Sequence, residues 1–195
     1  RLWKGPSFPK PFSGKPVVWF HGVSVGEIHL LGPVVAAFRQ RHPELEVVVS
    51  STTPTGLEEA RKRFPDTVVS PFPFDLSWQL RSAFDSLRPA AVVLAESELW
   101  PGFLAEAEKR DVPVAIINGR MSPRSAGRWR MAGPLARMIM GRVHTWAVQD
   151  DSHRAALESL GIPPGAVRGS RDSSHCPPLI HSSGRSNCRD RGSDD

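Results

Sequence analysis

The sequence predicts an α/β protein built around a doubly wound parallel sheet. Short apolar runs alternate along the chain with longer stretches in which apolar residues recur every three or four positions, which indicates strands and amphipathic helices in turn. The apolar runs are hydrophobic throughout, as strands are when helices cover both faces of a parallel sheet. In such a sheet the ligand binds beyond the carboxyl ends of the strands, so the residues that follow each strand are the first candidates for function.

The first predicted unit is a strand at 17–20, a tight turn at His21-Gly22 and an amphipathic helix. The apolar residues of this helix are spaced by three, four and three positions, as on one helix face: Ile28, Leu31, Val35 and Phe38. The alternation continues with strands at 47–49, 68–69, 91–95, 112–117 and 145–148, and with helices at 55–63, 78–87, 100–110 and 151–160. A long basic helical stretch is expected between the fifth and sixth strands.

Three parts are expected along the chain. Residues 1–15 are rich in Pro, Gly and Ser and lack periodicity, so we interpret them as a lead-in segment. Residues 16–169 contain the alternating elements and are expected to form one domain with its own core. Residues 170–195 are rich in Ser, Arg, Asp and Pro and have little apolar content, which predicts a disordered tail.

Composition favours a soluble protein of a reducing compartment. Both cysteines, Cys176 and Cys188, lie in the predicted tail, so the domain has neither a disulfide framework nor a cysteine-based zinc site. No stretch approaches the roughly 18 consecutive apolar residues that a membrane span needs. The chain begins at Arg1 without a signal-like region, and we expect it to be a piece of a longer protein.

The turn after the first strand, His21 to Glu27 (HGVSVGE), carries the strongest catalytic candidate. Glu27 falls in the first turn of the following helix, where the helix dipole and free N–H groups stabilise a carboxylate anion that can act as a general base. Two alternatives stay open. Glu27 could simply cap its helix, or Ser24 could be the nucleophile of a serine hydrolase, because the turn also matches the GxSxG pattern.

Polar residues follow two other strands. Residues 50–56 (SSTTPTG) carry five hydroxyl groups, four of which cluster where a helix begins; this suits an anion or sugar hydroxyls but is equally typical of a helix cap. Glu96 and Glu98 follow the fourth strand, where two neighbouring carboxylates repel each other unless a ligand or cation uses them. No His or third acid lies near them, so a metal is not favoured.

The segment after the fifth strand is strongly basic. The chain has a formal charge of +5, carried by 20 Arg against 5 Lys. Six arginines fall between residues 120 and 149, a window without an acidic residue, and large apolar residues are interleaved with them: Trp129, Met131, Leu135, Met138, Ile139 and Met140. Such a stretch favours an anionic membrane surface or a phosphorylated lipid. Nucleic acid ranks lower, because no nucleic-acid-binding motif is present, and a merely solvated basic face is the alternative.

Taken together, the segments at the strand ends resemble the 3-deoxy-D-manno-octulosonic acid (Kdo) transferases. The resemblance runs from about residue 16 to residue 169. It rests on six motifs in order: HGVSVGE at 21–27, TTPTG at 52–56, PFD at 73–75, ESELWP at 96–101, NGRMSPRS at 118–125 and VQDD at 148–151.

The resemblance implies the Rossmann-like N-terminal half of a GT-B glycosyltransferase, bound to the cytoplasmic face of the bacterial inner membrane. This half would bind a lipid A precursor, and a C-terminal half would bind the donor CMP-Kdo; no further cofactor is implied. Glu27 corresponds to the family's general base, which deprotonates the acceptor hydroxyl as it attacks the anomeric carbon with inversion, and Glu96 or Glu98 would support the transition state. Substrate contacts are expected from residues of the same motifs: Ser24, Gly26, Thr52, Thr53, Thr55, Gly56, Asn118, Arg120, Ser122, Arg124 and Ser125.

Two departures from the family pattern stand out. Family members continue with a Gly-Asn-Leu-Lys-like motif, whereas this chain has Gly169-Ser170-Arg171-Asp172 and then the tail, without the donor half. The family's membrane-anchoring segment is also not recognisable. We therefore expect a truncated chain that is inactive alone, and two rival functions remain: the serine hydrolase using Ser24, and a non-catalytic module that binds anionic lipid.

Overall fold

A computed structural model describes residues 8–11, 13–97 and 99–169. Glu98 and the predicted tail at 170–195 therefore lie outside the described residues. Within the described part, the chain forms seven strands and seven α-helices, with one short 3₁₀ turn at Pro164–Ala166.

The strands form a single parallel sheet with the order β3-β2-β1-β4-β5-β6-β7, and every neighbouring pair is parallel. This arrangement confirms the predicted doubly wound α/β class. The strands are β1 Val17–His21, β2 Glu46–Ser51, β3 Val68–Pro71, β4 Pro89–Ala95, β5 Val114–Gly119, β6 Thr145–Val148 and β7 Val167–Arg168.

The helices connect these strands in alternation and lie close to the predicted ranges. They are α1 Val25–Arg41, α2 Pro54–Arg63, α3 Ser77–Leu87, α4 Pro101–Lys109, α5 Pro123–Met131, α6 Pro134–Met140 and α7 Asp151–Glu158. Four of them begin at a residue whose side-chain oxygen accepts a hydrogen bond from a backbone N–H of the first turn, which satisfies donors that the helix leaves free. These N-cap residues are Ser24, Thr53, Ser122 and Asp150.

The sheet separates two apolar layers. On one face, Trp19 of β1 lies edge-on to Phe84 of α3 and Phe103 of α4, with ring centroids 5.7 and 5.4 Å apart. The helices α5, α6 and α7 contribute buried residues to this same layer. On the other face, Phe20 packs against α1, and the second layer includes buried residues of α1 and α2.

The basic stretch that was expected to form one long helix is divided into α5 and α6. The break falls at Gly133, whose φ of +53° is a left-handed conformation that glycine adopts without steric cost. Pro134 follows and begins α6, and a residue that precedes proline is disfavoured in helical conformation. The backbone preferences of Gly133 and Pro134 therefore divide the helix, although the basic sequence pattern continues across them.

The described part of the predicted lead-in segment is attached to the amino-terminal edge of the sheet. Phe8 is buried in the first apolar layer, and Ser86 Oγ donates to its carbonyl oxygen at 3.0 Å. Ser13 N donates to Glu46 Oε2 at 2.9 Å, and Lys15 Nζ donates to the carbonyl of Pro43 at 2.8 Å. This segment therefore packs against the domain without regular secondary structure of its own.

Candidate active site

The sheet order places a topological switch point between β1 and β4. The chain moves outward from β1 to β2 and β3, and then returns to β4 on the other side of β1. In open parallel sheets, ligands bind in the crevice at this point, beyond the carboxyl ends of the two strands. The turn that carries Glu27 follows β1 and the turn that carries Glu96 follows β4, so the two carboxylates flank the position where a ligand is expected.

The carboxylate of Glu27 is folded back over the start of its own helix. Its Oε2 accepts from Val23 N at 2.9 Å, and its Oε1 accepts from Ser24 N at 3.3 Å and from Ser24 Oγ at 2.9 Å. Ser24 Oγ in turn accepts from Glu27 N, which completes a reciprocal capping box. The capping interpretation of Glu27 is therefore correct as a description of its local structure.

Capping does not occupy every acceptor position of this carboxylate. A carboxylate has about four acceptor positions, and the three hydrogen bonds described leave one of them, on Oε2. Glu27 is 9% exposed, while Ser24 and Gly26 beside it are exposed. A methyl group at Gly26 would meet Ser24 Oγ at an ordinary 3.8 Å, so no internal contact requires this glycine. Its missing side chain instead leaves the helix N-terminus open to an approaching molecule.

The Glu27 turn is fixed to the turn that follows β2. Gly22 N donates to the Ser50 carbonyl at 3.1 Å, and the hydroxyl groups of Ser51 and Thr53 both donate to the Val23 carbonyl at 2.9 Å. A methyl group at Gly22 would lie 3.0 Å from Glu27 Cβ, so this glycine permits the close approach of the helix.

His21 is buried beneath the site in an aromatic environment. Its ring stacks on Phe72 with a centroid distance of 3.7 Å, and its Nδ1 lies 3.0 Å from Ser50 Oγ. Burial lowers the pKa of His21 from 6.5 to about 3. The imidazole is therefore neutral at physiological pH and supports the turn instead of carrying charge into the crevice.

A polar chain crosses the ends of β4, β5 and β6. Asn118 Nδ2 donates to Glu96 Oε1 at 3.4 Å, and Gln149 Nε2 donates to Asn118 Oδ1. Glu96 and Asn118 both have positive φ, of 63° and 56°. A non-glycine residue rarely adopts this conformation, and such strain is concentrated at functional sites. The chain of contacts holds the Glu96 carboxylate at the edge of the crevice.

The remaining predicted substrate contacts lie at the same edge of the sheet. Ser97 Oγ accepts from Arg120 N at 3.1 Å, which joins the ends of β4 and β5. Most of the other side chains face solvent or cap helices: Thr52, Thr55, Ser122 and Arg124 are exposed, Ser125 is half-buried and Gly56 is buried. A methyl group at Gly56 would collide with Ser51 Oγ, so this glycine has a packing role.

The geometry at Ser24 differs from that of a hydrolase nucleophile. A nucleophile elbow holds its serine in a strained turn, with its hydroxyl bonded to a histidine base. Ser24 has an extended backbone, with φ −107° and ψ 165°, and its hydroxyl donates to Glu27. His21 is directed towards Ser50. These contacts favour the carboxylate of Glu27 over the hydroxyl of Ser24 as the reactive group.

Three residues that shape the site were not among the predicted contacts. Asp75 accepts from Gly102 N at 3.0 Å and from Phe103 N at 2.7 Å, and so caps α4 from the turn after β3. Ser51 fixes the Glu27 turn, and Gln149 extends the polar chain. Ser51 is the last residue of β2, and Asp75 and Gln149 follow β3 and β6, so the rule that singled out Glu27 points to their positions but not to the contacts they make.

Helices α5 and α6 present an exposed surface of mixed character, here called the Met/Arg surface. Met131, Leu135 and Met138 are 83%, 55% and 51% exposed. Four arginines of the same helices are exposed: Arg124, Arg128, Arg130 and Arg137. Arg142 differs from them, because its Nε donates to Glu108 Oε2 at 2.8 Å. None of the helices in the described ranges combines the length and the apolar character required to cross a bilayer.

Comparisons with known proteins agree on one family. A family model for 3-deoxy-D-manno-octulosonic-acid transferases matches residues 3–172. Transferases of this name from Chlamydia pneumoniae and Chlamydophila psittaci are 36% and 35% identical over 76% and 75% of this chain, which spans 34% of each relative. The structure of a UDP-GlcNAc 2-epimerase from Neisseria meningitidis bound to UDP-GlcNAc is 14% identical, with a TM-score of 0.55 over 78% of this chain and 44% of that one, which shows a shared fold. The chain belongs to the family of Kdo transferases and corresponds to the N-terminal region of its members.

Proposed function

We propose that this chain is the acceptor-binding region of a glycosyltransferase that moves Kdo from CMP-Kdo to a lipid A precursor in lipopolysaccharide biosynthesis. Membership of the Kdo transferase family supports the reaction class. The chain spans about a third of the length of its curated relatives, so the reaction is proposed for the whole protein and not for this region alone. The observation that carries the proposal is the carboxylate of Glu27, held at the switch point with one acceptor position free.

In this proposal Glu27 is the general base. An acceptor hydroxyl group donates its hydrogen bond to Oε2 of Glu27 and attacks the anomeric carbon of Kdo. The new C–O bond forms as the bond to CMP breaks, CMP leaves with the electron pair, and the hydroxyl proton passes to Glu27. The three hydrogen bonds to the carboxylate fix its direction, and a base fixed in this way loses little entropy in the transition state.

Glu96 is proposed to act from the opposite side of the crevice. Its hydrogen bond from Asn118 fixes the carboxylate near the ligand, where it can accept from a sugar hydroxyl or support charge in the transition state. Glu98 keeps a comparable proposed role, based on family resemblance. The hydroxyl groups after β2 and the basic residues after β5 are proposed to bind the sugar hydroxyls and phosphates of the acceptor, because guanidinium groups bind phosphate in bidentate geometry.

The acceptor is a lipid, so the proposed site must lie against a membrane. The Met/Arg surface offers exposed apolar side chains among four exposed arginines, a combination suited to the anionic interface of a bilayer. We propose that this surface contacts the cytoplasmic face of the inner membrane while the crevice receives the acceptor. A non-catalytic lipid-binding module would use the same surface, and the role of Glu27 distinguishes the two functions.

A chimera tests the proposed reaction. Residues 16–169 replace the matching segment of the Chlamydia pneumoniae transferase, and transfer from CMP-Kdo to a lipid A precursor is measured. We expect the chimera to be active and its Glu27→Gln variant to lose roughly 10²- to 10⁴-fold in kcat, because the amide cannot accept the proton. Glu44→Gln is the matched control: this exposed residue precedes β2, at the opposite edge of the sheet, and its variant should keep full activity.

Two outcomes would contradict the proposal. A folded chimera that transfers no Kdo would refute the reaction, and a Glu27→Gln variant as active as its parent would refute the base assignment. The hydrolase alternative is tested on the chain itself. A fluorophosphonate probe should leave Ser24 unmodified in the folded protein, and labelling that is lost in Ser24→Ala would favour the hydrolase.

A further inference from the structure

A concave site lies between α5, α6 and the end of α7, and is here called the α7 pocket. One wall comes from residues between Trp129 and Arg137, and the other from Glu158 to Gly161. Its volume is about 360 Å³, within the range of about 300–1,000 Å³ that is usual for small-molecule sites. The end of α7 leads into β7, so the pocket lies towards the amino ends of the strands, away from the crevice beyond their carboxyl ends.

The first positive charge of the α7 pocket comes from Arg130 of α5. Its Nη2 reaches across to α7 and donates to Ser159 Oγ at 3.1 Å. Ser159 Oγ in turn donates to the Ala156 carbonyl at 2.7 Å, so the hydroxyl group is itself fixed and holds the guanidinium in place. A guanidinium has about five N–H donors, and this hydrogen bond uses one of them. The others can donate to an anion in the pocket.

The second positive charge comes from Arg137 of α6, whose side chain packs on the turn after α7. A methyl group at Gly161 would lie 3.4 Å from Arg137 Cδ, so this turn and the arginine stem are in close contact. Gly161 has a φ of +90°, which a larger residue would adopt only with strain. Neither arginine forms an ion pair with any residue that the structure describes. Two guanidinium groups without carboxylate partners therefore line one pocket.

A carboxylate lines the same pocket at the end of α7. Glu158 is the last residue of this helix and is half-buried. It forms no ion pair within the described ranges, so its oxygens lie more than 4 Å from the nitrogens of both guanidinium groups. The last turn of α7 also has no basic residue to offset the negative end of the helix dipole. The α7 pocket therefore has one part that favours an anion and another that favours a cation.

We propose that the α7 pocket binds a phosphate group with an ammonium group two carbons away, as in phosphoethanolamine. The guanidinium groups of Arg130 and Arg137 bind the phosphate, and the carboxylate of Glu158 accepts from the ammonium. Trp129 also lines the pocket and can add a cation–π contact. A phosphate alone is repelled by Glu158, and an amine alone is repelled by the arginines, so only a ligand with both charges uses the whole site. This site is independent of Kdo transfer and of Glu27.

Soluble probes test the α7 pocket on the chain as it exists. O-phosphoethanolamine, inorganic phosphate and ethanolamine are titrated near neutral pH, and binding is measured from NMR chemical shifts. We expect O-phosphoethanolamine to bind most tightly. Arg130→Gln and Arg137→Gln should each weaken binding of O-phosphoethanolamine and of phosphate by about tenfold. Glu158→Gln should weaken O-phosphoethanolamine by about tenfold but strengthen phosphate, because it removes the ammonium partner and the repulsion together. The matched controls Glu58→Gln and Arg61→Gln, exposed on α2 over the other face of the sheet, should bind like the parent.

The proposal is wrong if O-phosphoethanolamine binds the folded chain no more tightly than phosphate and ethanolamine do. It is equally wrong if Glu158→Gln leaves this binding unchanged; circular dichroism verifies that each variant is folded.

Vesicles identify the source of the ligand. A lipid source rests on the membrane contact proposed above, because Arg130 and Arg137 also belong to the Met/Arg surface. Binding is compared on phosphatidylcholine vesicles with and without phosphatidylethanolamine. A preference for phosphatidylethanolamine that Glu158→Gln removes would support a lipid headgroup as the ligand. If the soluble probe binds but the vesicles do not, the α7 pocket stands with a free small molecule as its ligand, and only the membrane contact fails.

Discussion

His21 makes the stability of the domain depend on pH. Burial lowers its pKa from 6.5 to about 3, so between these values the unfolded chain binds a proton that the folded chain does not. Stability is therefore complete above pH 6.5 and falls as the pH decreases towards 3. From pH 7.5 to 5.5 we expect His21 to remove about 1.4 kcal/mol from the free energy of unfolding, measured by urea denaturation.

The matched variants isolate this effect. His21→Gln keeps a hydrogen-bond donor near Ser50 but does not titrate, so its stability should change less than that of the parent chain over the same range. His29→Gln, on the exposed surface of α1, should retain the decrease in the free energy of unfolding that depends on His21. If the free energy of unfolding of the His21→Gln variant decreases as much as that of the parent chain, another group is responsible.

Residue chemistry explains which features of the site the sequence could predict. Glu27 was identified because its position after an apolar strand and at a helix start depends only on local pattern. Its three hydrogen bonds could not be predicted, because they depend on how the Val23-Ser24 backbone turns. The neutral state of His21 likewise requires Phe72, which is brought above it from the end of β3.

At the scale of elements, α4 depends on a residue outside itself. Trp100 occupies the N-cap position without a capping side chain, and Asp75 supplies the missing acceptor from a distant turn. Asp75→Ala should reduce the free energy of unfolding by about 0.5–2 kcal/mol, as loss of an N-cap does. Asp75→Asn keeps one acceptor oxygen and should lose less. Urea denaturation of both variants measures the difference, and an Asp75→Ala variant as stable as the parent would exclude this capping role.

Some helix and strand boundaries are determined by neighbouring residues in the sequence, and others depend on distant residues. The N-caps Ser24, Thr53 and Ser122 appear in the sequence as hydroxyl residues immediately before a helical pattern, so the starts of their helices were predictable. The two-residue strand β7 was not predicted as a strand, because its pairing with β6 defines it and two residues carry no periodic signal. The cap of α4 by Asp75 joins residues 27 positions apart and leaves no local trace.

At the scale of the whole molecule, the strand order determines which predicted residues meet. The sequence predicts polar groups after successive strands, but it does not say which strands are neighbours. The order β3-β2-β1-β4-β5-β6-β7 puts the Glu27 turn against the β2 turn and the Glu96 turn against the end of β5.

The proposed membrane contact belongs to the scale of the whole molecule, because two helices contribute to the Met/Arg surface. We expect the chain to bind vesicles that contain anionic lipid, and to bind less at 1 M than at 0.1 M salt, since the Debye length falls from about 10 to 3 Å. Arg128→Gln should weaken binding by about 1 kcal/mol, or roughly fivefold, at low salt. The double variant Met131→Ser, Met138→Ser should weaken it at both salt concentrations, because apolar burial is not screened.

The control for this experiment is another exposed arginine. Arg61→Gln on α2 removes the same charge from the opposite face of the sheet, and it should bind vesicles like the parent chain in a flotation assay. If Arg61→Gln and Arg128→Gln weaken binding equally, net charge attracts the vesicle and the Met/Arg surface has no special role. If only the Met/Arg variants weaken binding, the membrane lies against α5 and α6. The face of the sheet that these two helices cover is then the face turned to the lipid.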